Sequence, residues 1–215
     1  MKLTTVAEDR AQALLDEMRQ TPMRRGALSE QAWQVRSDIA DTLTAERVSG
    51  PLARRIAFQL AFKFDARALQ GREVWLALAQ ILRREVTSLK RRAGMGDQRI
   101  NAALPKLSAR QVLEFLDELT KADRRIARTI LHAAVSASDP LTAGRRYLSE
   151  YRLVAQQLKA IDPSMARTVA AATFAANVPL DKAMQHMQRF ASLVTKHQER
   201  PDLARMIARA CYRVK

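Results

Sequence analysis

Three arginines recur at one spacing. Arg128, Arg167 and Arg205 stand 39 and 38 residues apart, in the tetrads Ala127-Arg128-Thr129-Ile130, Ala166-Arg167-Thr168-Val169 and Ala204-Arg205-Met206-Ile207. A guanidinium is planar, permanently charged and able to bind two phosphate oxygens at once, so a row of them is chemistry for holding a polyanion. On helices stacked about 10 Å apart, the three would form a ladder of phosphate grips. The competing reading is three capping arginines that bond nearby loop carbonyls or snorkel to a rim. Arg124, Arg125, Arg145, Arg146 and Arg152 thicken the charge near that ladder. A second concentration holds Arg83, Arg84, Lys90, Arg91, Arg92 and Arg99, around Gly94-Met95-Gly96-Asp97. From 83 to 110 there are eight basic and two acidic residues, a net of +6. It reads either as a phosphate-binding surface or as a solvated linker after a helix C-terminus, where the dipole favours cations.

Other chemistry finds little to work with. Glu114 and Asp117 are i, i+3 on a wet helix face beside Lys121, the pattern of ordinary helix ion pairs. His132, His186 and His197 have no cysteine partner except the lone Cys211, so neither a zinc site nor an internal disulfide is expected. Trp33 and Trp75 are expected as core anchors rather than base-stacking groups. No phosphate-cradling glycine loop, nucleophile elbow or metalloprotease motif occurs. The expectation is a protein that is not an enzyme, with no catalytic residue, cofactor or metal.

The elements that carry these residues read as helices throughout, an all-α chain. In the first half they are Leu3–Gln20, stopped by Thr21-Pro22; Glu30 to about Arg47, capped by Ser29; Leu52–Phe64 after Ser49-Gly50-Pro51; and Glu73–Arg92 after Gly71. In the second half they are Ser108–Leu119, Lys121–Ser138, Pro140–Ala160, Pro163–Asn177, Leu180–His197 and Pro201–Arg213. Ser108 and Gln111 make a capping box, and Asp139-Pro140 and Asp162-Pro163 place an acceptor before a proline at the first helical position. The division expected is an N-terminal helical subdomain over 1–93, a basic glycine-containing linker over 94–104, and a repeat subdomain over 105–215.

The repeat rests on several landmarks at one spacing. Besides the arginine tetrads, Asp139-Pro140-Leu141 returns as Val178-Pro179-Leu180, and Val112, Tyr151 and Phe190 align. A period of 38–39 residues holds one helical hairpin. Over roughly 105–215 this is similar to HEAT and armadillo arrays, in architecture only. The resemblance implies stacked hairpins with an extended face, and no functional residue follows from it.

The chain has 215 residues, 37 Lys plus Arg against 22 Asp plus Glu, a net charge of +15 and a pI near 10.9. Glycine (6), proline (7) and aromatics (5%) are too scarce for a β-sandwich or an aromatic base-stacking platform. No window is apolar enough to span a membrane, Met1–Thr21 lacks a signal-peptide core, and one cysteine suits a reducing, cytoplasmic setting. The function expected is nucleic-acid binding, DNA or RNA, through backbone contacts without strong sequence specificity, within a nucleoprotein assembly. The alternative is a helical-repeat scaffold for an acidic protein partner. Oligomeric state is not legible.

Overall fold

The computed structural model describes residues 4–21, 27–158, 167, 185, 188–189, 192–193, 195–197, 199–200, 202–203 and 206. Among them all regular structure is helical. The chain divides into two compact units, Met1–Leu113 and Glu114–Lys215.

The first unit is built from α1 (Thr5–Gln20), α2 (Glu30–Ala45), α3 (Gly50–Lys63), α4 (Arg72–Ser88) and α5 (Asp97–Ala103), and ends inside α6 (Ala109–Asp123). α2 packs chiefly on α3, and α1 on α4. The core is aliphatic: Leu15 and Met18 of α1, Ile39 and Leu43 of α2, Ile56 and Leu60 of α3, Leu78 and Leu82 of α4 are all fully buried. They recur at three- and four-residue spacing, which puts each set on one helix stripe. α1 buries Ala7, Ala11 and Leu14 beside Leu15 and Met18, while Val6 is exposed.

The helix ends follow the local signals. Ser29 Oγ accepts from the Ala32 amide at 3.2 Å. Pro51 sits in the first turn of α3, where its missing N–H is no loss. The Ser108 amide donates to Gln111 Oε1 at 2.9 Å, and the Gln111 amide to Ser108 Oγ at 3.3 Å, closing the capping box. At the C-terminus of α1, the Lys63 ammonium donates to the carbonyls of Met18 and Thr21, supplying from α3 the partners those carbonyls lack in their own helix.

Three expectations for the first unit change. α4 does not run regularly to Arg92: from Leu89 to Ala93 the backbone widens into a π turn, closed by Gly94 in the left-handed conformation at φ 63°. The wider turn buries Leu89 and Ala93 while Lys90, Arg91 and Arg92 stay exposed. The stretch 94–104 is no bare linker. It carries α5 and buries Met95, Ile100, Ala103 and Leu104, because its few apolar residues fall where one helical turn can seat them in the core. Trp33 also departs from expectation. It is 48% exposed, with the Arg36 guanidinium 4.7 Å from its ring centre. α2 turns Ile39 and Leu43 inward and so carries Trp33 to its outer side. Trp75 is half-buried, and its indole N–H donates to the Leu69 carbonyl at 2.7 Å.

In the second unit the described elements are the remainder of α6, α7 (Ala127–Ala134) and α8 (Pro140–Leu158), with α7 packed on α8. Asp139 starts α8 as expected, its Oδ1 accepting from the Thr142 amide at 3.2 Å. The α6–α7 break falls later than the sequence suggested: α6 reaches Asp123, and α7 begins at Ala127 rather than Lys121. Asp123 makes the turn itself by accepting from the Arg125 amide at 2.9 Å, an Asx turn that competes with helix continuation. α7 stops at Ala134, and the chain turns through 135–138 instead of staying helical to Ser138. The helices expected over Pro163–Asn177, Leu180–His197 and Pro201–Arg213 lie largely outside the described residues. The stacking of hairpins was the expectation that depended on them.

Candidate nucleic-acid interface

The polar side of α4 repeats with the same spacing as its buried side. Gln80, Arg83, Arg84, Thr87, Ser88 and Arg91 fall at i, i+3, i+4, i+7, i+8 and i+11, and together they line an open groove of about 560 Å³. Arg83 and Arg84 lie on α4, and Arg91 lies in the π turn that continues it, about two turns further along. Two hydroxyls lie between the cationic ends. Phosphate oxygens accept from guanidinium and hydroxyl donors alike, so the line offers a strand several successive contacts.

The present partners of these cations are weak. Arg84 meets Glu8 at 3.4 Å and Arg83 meets Glu46 at 4.0 Å, all four side chains being substantially exposed. Pairs of that kind contribute about 0–1 kcal/mol, so a phosphate can displace the carboxylate at little cost. Arg91 has no charged partner among the described residues. Lys90 is held more closely, by Asp97 at the start of α5 at 2.6 Å.

Beneath this face a buried pair fixes α4. Arg19 of α1, its side chain 4% exposed, donates to Glu85 Oε2 at 2.7 Å and to the Leu104 carbonyl at 3.1 Å. Glu85 Oε1 accepts from the Ala109 amide at 3.1 Å and so caps α6. Glu85 points inward where Arg83 and Arg84 point outward, and the groove is thereby mounted on a rigid support.

One end of the face is shaped by an unusual backbone. α2 ends in a Schellman motif, with the Val48 amide donating to the Leu43 carbonyl and the Arg47 amide to the Thr44 carbonyl, both at 3.0 Å. The left-handed position of that motif, usually glycine, is occupied by Arg47 at φ 65°. Arg47, Arg83 and Lys90 line a second recess beside the groove.

The structure gathers the sequence-named cations unequally. Arg83, Arg84 and Arg91 share the groove, with Lys90 adjoining it. Arg92 and Arg99 are exposed but line neither hollow. In the second unit Arg124, Arg125, Arg128, Arg145 and Arg146 are exposed, and Arg145 meets Glu118 at 3.8 Å. Arg152 borders a depression lined with Glu114, Asp117 and Glu118, which is no cationic surface.

Arg167 behaves differently from a phosphate grip. Its Nε donates to Asp123 Oδ2 at 3.2 Å, and the Tyr151 hydroxyl donates to the same oxygen. Burial alone would raise the Asp123 carboxyl. The hydrogen bonds from Tyr151, the Arg125 amide and Arg167, with the charge of Arg167, outweigh it and hold the carboxyl below its ordinary value. Burial, then the bond to Asp123 and that carboxylate's charge, push the Tyr151 phenol up to about 12. Arg167 thus clamps the α6–α7 turn. Arg205 lies outside the described residues.

Gln80, Thr87, Ser88, Arg47 and Asn101 escaped the sequence reading. The first three were within reach, since the three- and four-residue spacing that marks Leu78 and Leu82 as core marks these as one outer face. Nothing local in the sequence tells that Arg47 and Asn101 adjoin α4.

Among the described residues no three His, Cys, Asp or Glu side chains cluster to hold a metal ion, and no helix is long and apolar enough to cross a membrane. No protein-family model, curated protein or solved structure matches this chain.

Proposed function

We propose that this protein is a non-catalytic nucleic-acid-binding protein that holds a sugar–phosphate backbone along the outer face of α4, without strong sequence specificity. The observation that carries the reading is the groove itself: Arg83 and Arg84 of α4 and Arg91 of the π turn after it, interleaved with Thr87 and Ser88, with Arg83 and Arg84 held by weak surface ion pairs. The net charge of +15 adds long-range attraction for a polyanion. Phosphate contacts carry no sequence information, and this face presents no run of aromatic rings for stacking.

The test is a salt titration of binding to short random-sequence DNA and RNA. A log–log slope of about −4 or steeper is expected, because each neutralised phosphate releases close to one counterion. Replacing Arg83, Arg84 and Arg91 together by Ala is expected to make the slope shallower by about three. No binding at low salt, or a slope the triple variant leaves unchanged, overturns the proposal.

A further inference from the structure

Beside the α4 groove, and sharing Arg83 and Thr87 with it, lies a smaller recess of about 270 Å³. Its lining combines three chemistries. Arg47 and Lys90 are cationic; Asp97 and Asn101 offer a carboxylate and an amide; Val86 is a half-buried apolar wall, backed by buried Ile100. Several donors there are unengaged among the described residues. They are the Arg47 guanidinium, the Thr87 hydroxyl and the Asn101 amide nitrogen, while the Asn101 side-chain oxygen accepts from Ser49 Oγ at 3.0 Å.

A surface for phosphate alone gains nothing from an apolar wall, nor from a carboxylate that engages Lys90 at 2.6 Å and so offsets one of its cations. A nucleotide uses all three. Its base covers Val86, its edge donors and acceptors meet Asp97 and Asn101, and its phosphate meets Arg47 and Arg83. The backbone at Arg47 points the same way. Glycine would adopt φ 65° without cost, and arginine in its place sets a cation at the mouth of the recess.

The geometry points to one unstacked nucleotide of a single-stranded nucleic acid as the occupant, its base in the recess while neighbouring phosphates follow the α4 groove. This inference rests on the groove being a backbone-binding face. Bases in a duplex are stacked and paired, so they reach such a recess only at the cost of unpairing.

The full chain is tested by fluorescence anisotropy with three labelled probes of equal length: an oligothymidylate strand, the same strand without bases, and a duplex. At one salt concentration the strand is expected to bind about tenfold more tightly than either other probe, the scale of one well-held base. Asn101→Leu is expected to shrink the gap between the base-bearing and abasic strands to under about threefold. Arg47→Gly is expected to do the same, with a melting temperature no lower than the parent's, since glycine suits that backbone. Equal binding of the base-bearing and abasic strands, with a steep salt slope, overturns the recess and leaves the groove standing. A gap that both variants leave intact also overturns the recess. Thymidine monophosphate binding as tightly as the strand assigns the recess to a free nucleotide and overturns the inference. No binding of any probe overturns recess and groove together.

Discussion

Glu85 has its two oxygens committed to different elements, Oε2 to Arg19 of α1 and Oε1 to the first amide of α6. Removing it strands a guanidinium whose Nη1 already has no hydrogen-bond acceptor. Asp16, 3.7 Å from Nη1 and half exposed, compensates only in part, so Glu85→Ala is expected to destabilise the fold by about 2–3 kcal/mol. Glu85→Gln keeps an acceptor and should lose less; urea unfolding of the two variants checks the order. The Asp123–Tyr151 pair makes a prediction in pH. Asp123 is held below its free value, so its contribution is present above the ordinary carboxylate range and lost as pH falls through the lowered value. Tyr151 is raised to about 12, so its contribution is complete below about pH 10 and lost as pH rises from there through 12. Tyr151→Phe should flatten the alkaline fall in melting temperature and weaken the acid dependence. An unaltered profile would show that the turn does not depend on the pair.

At the scale of elements, Gly144 decides how α8 approaches its neighbours. A Cβ there would run into the Phe115 ring of α6 and approach Ala134 of α7 to 3.2 Å. Alanine in a helix interior normally gains about 1 kcal/mol over glycine. Gly144→Ala is expected to destabilise instead, and Phe115→Leu in the same chain should recover part of the loss, as thermal melts of the single and double variants would reveal. The sequence spoke plainly at four helix boundaries made by local chemistry. The Ser29 cap, the Ser108–Gln111 box, the Thr21 stop and the Asp139-Pro140 start all depend on residues within four positions of one another. It was silent where a boundary depends on distant partners. The α6–α7 turn is fixed by Asp123 together with Tyr151 and Arg167, 28 and 44 residues away. α5 has only seven residues, too few for a periodic signal, and earns its place by burying Ile100 and Ala103. For the candidate site the sequence supplied Arg83, Arg84, Lys90 and Arg91 as a charge cluster. It could not supply the recess, since Arg47 and Asn101 meet only through the packing of α2, α3 and α5.

For the whole molecule, the charge of +15 makes binding and stability two faces of one measurement. A ligand that binds only the folded chain stabilises it by about 2.7 kcal/mol when present at a hundredfold excess over its Kd. Single-stranded DNA at that excess should raise the melting temperature at low salt, and the gain should fade as salt is added. Arg83→Ala with Arg84→Ala and Arg91→Ala should abolish the gain. Arg124→Ala with Arg125→Ala and Arg128→Ala should leave most of it. The reverse pattern would transfer the interface from α4 to the second unit.

The support of α1 also sets an order of events at the ribosome. Its apolar stripe of Leu14, Leu15 and Met18 is covered chiefly by α4, and Arg19 donates to Glu85 and to the Leu104 carbonyl. α2 and α3, by contrast, are joined by a short connection and can pair as soon as both have emerged. At about 5–20 residues per second, the stretch from Arg19 to Leu104 takes roughly 4–17 s to synthesise. For that interval α1 has neither α4 to cover its apolar stripe nor the partners of Arg19. Until α4 has emerged, Leu14, Leu15 and Met18 form a defined greasy segment of the growing chain, open to water.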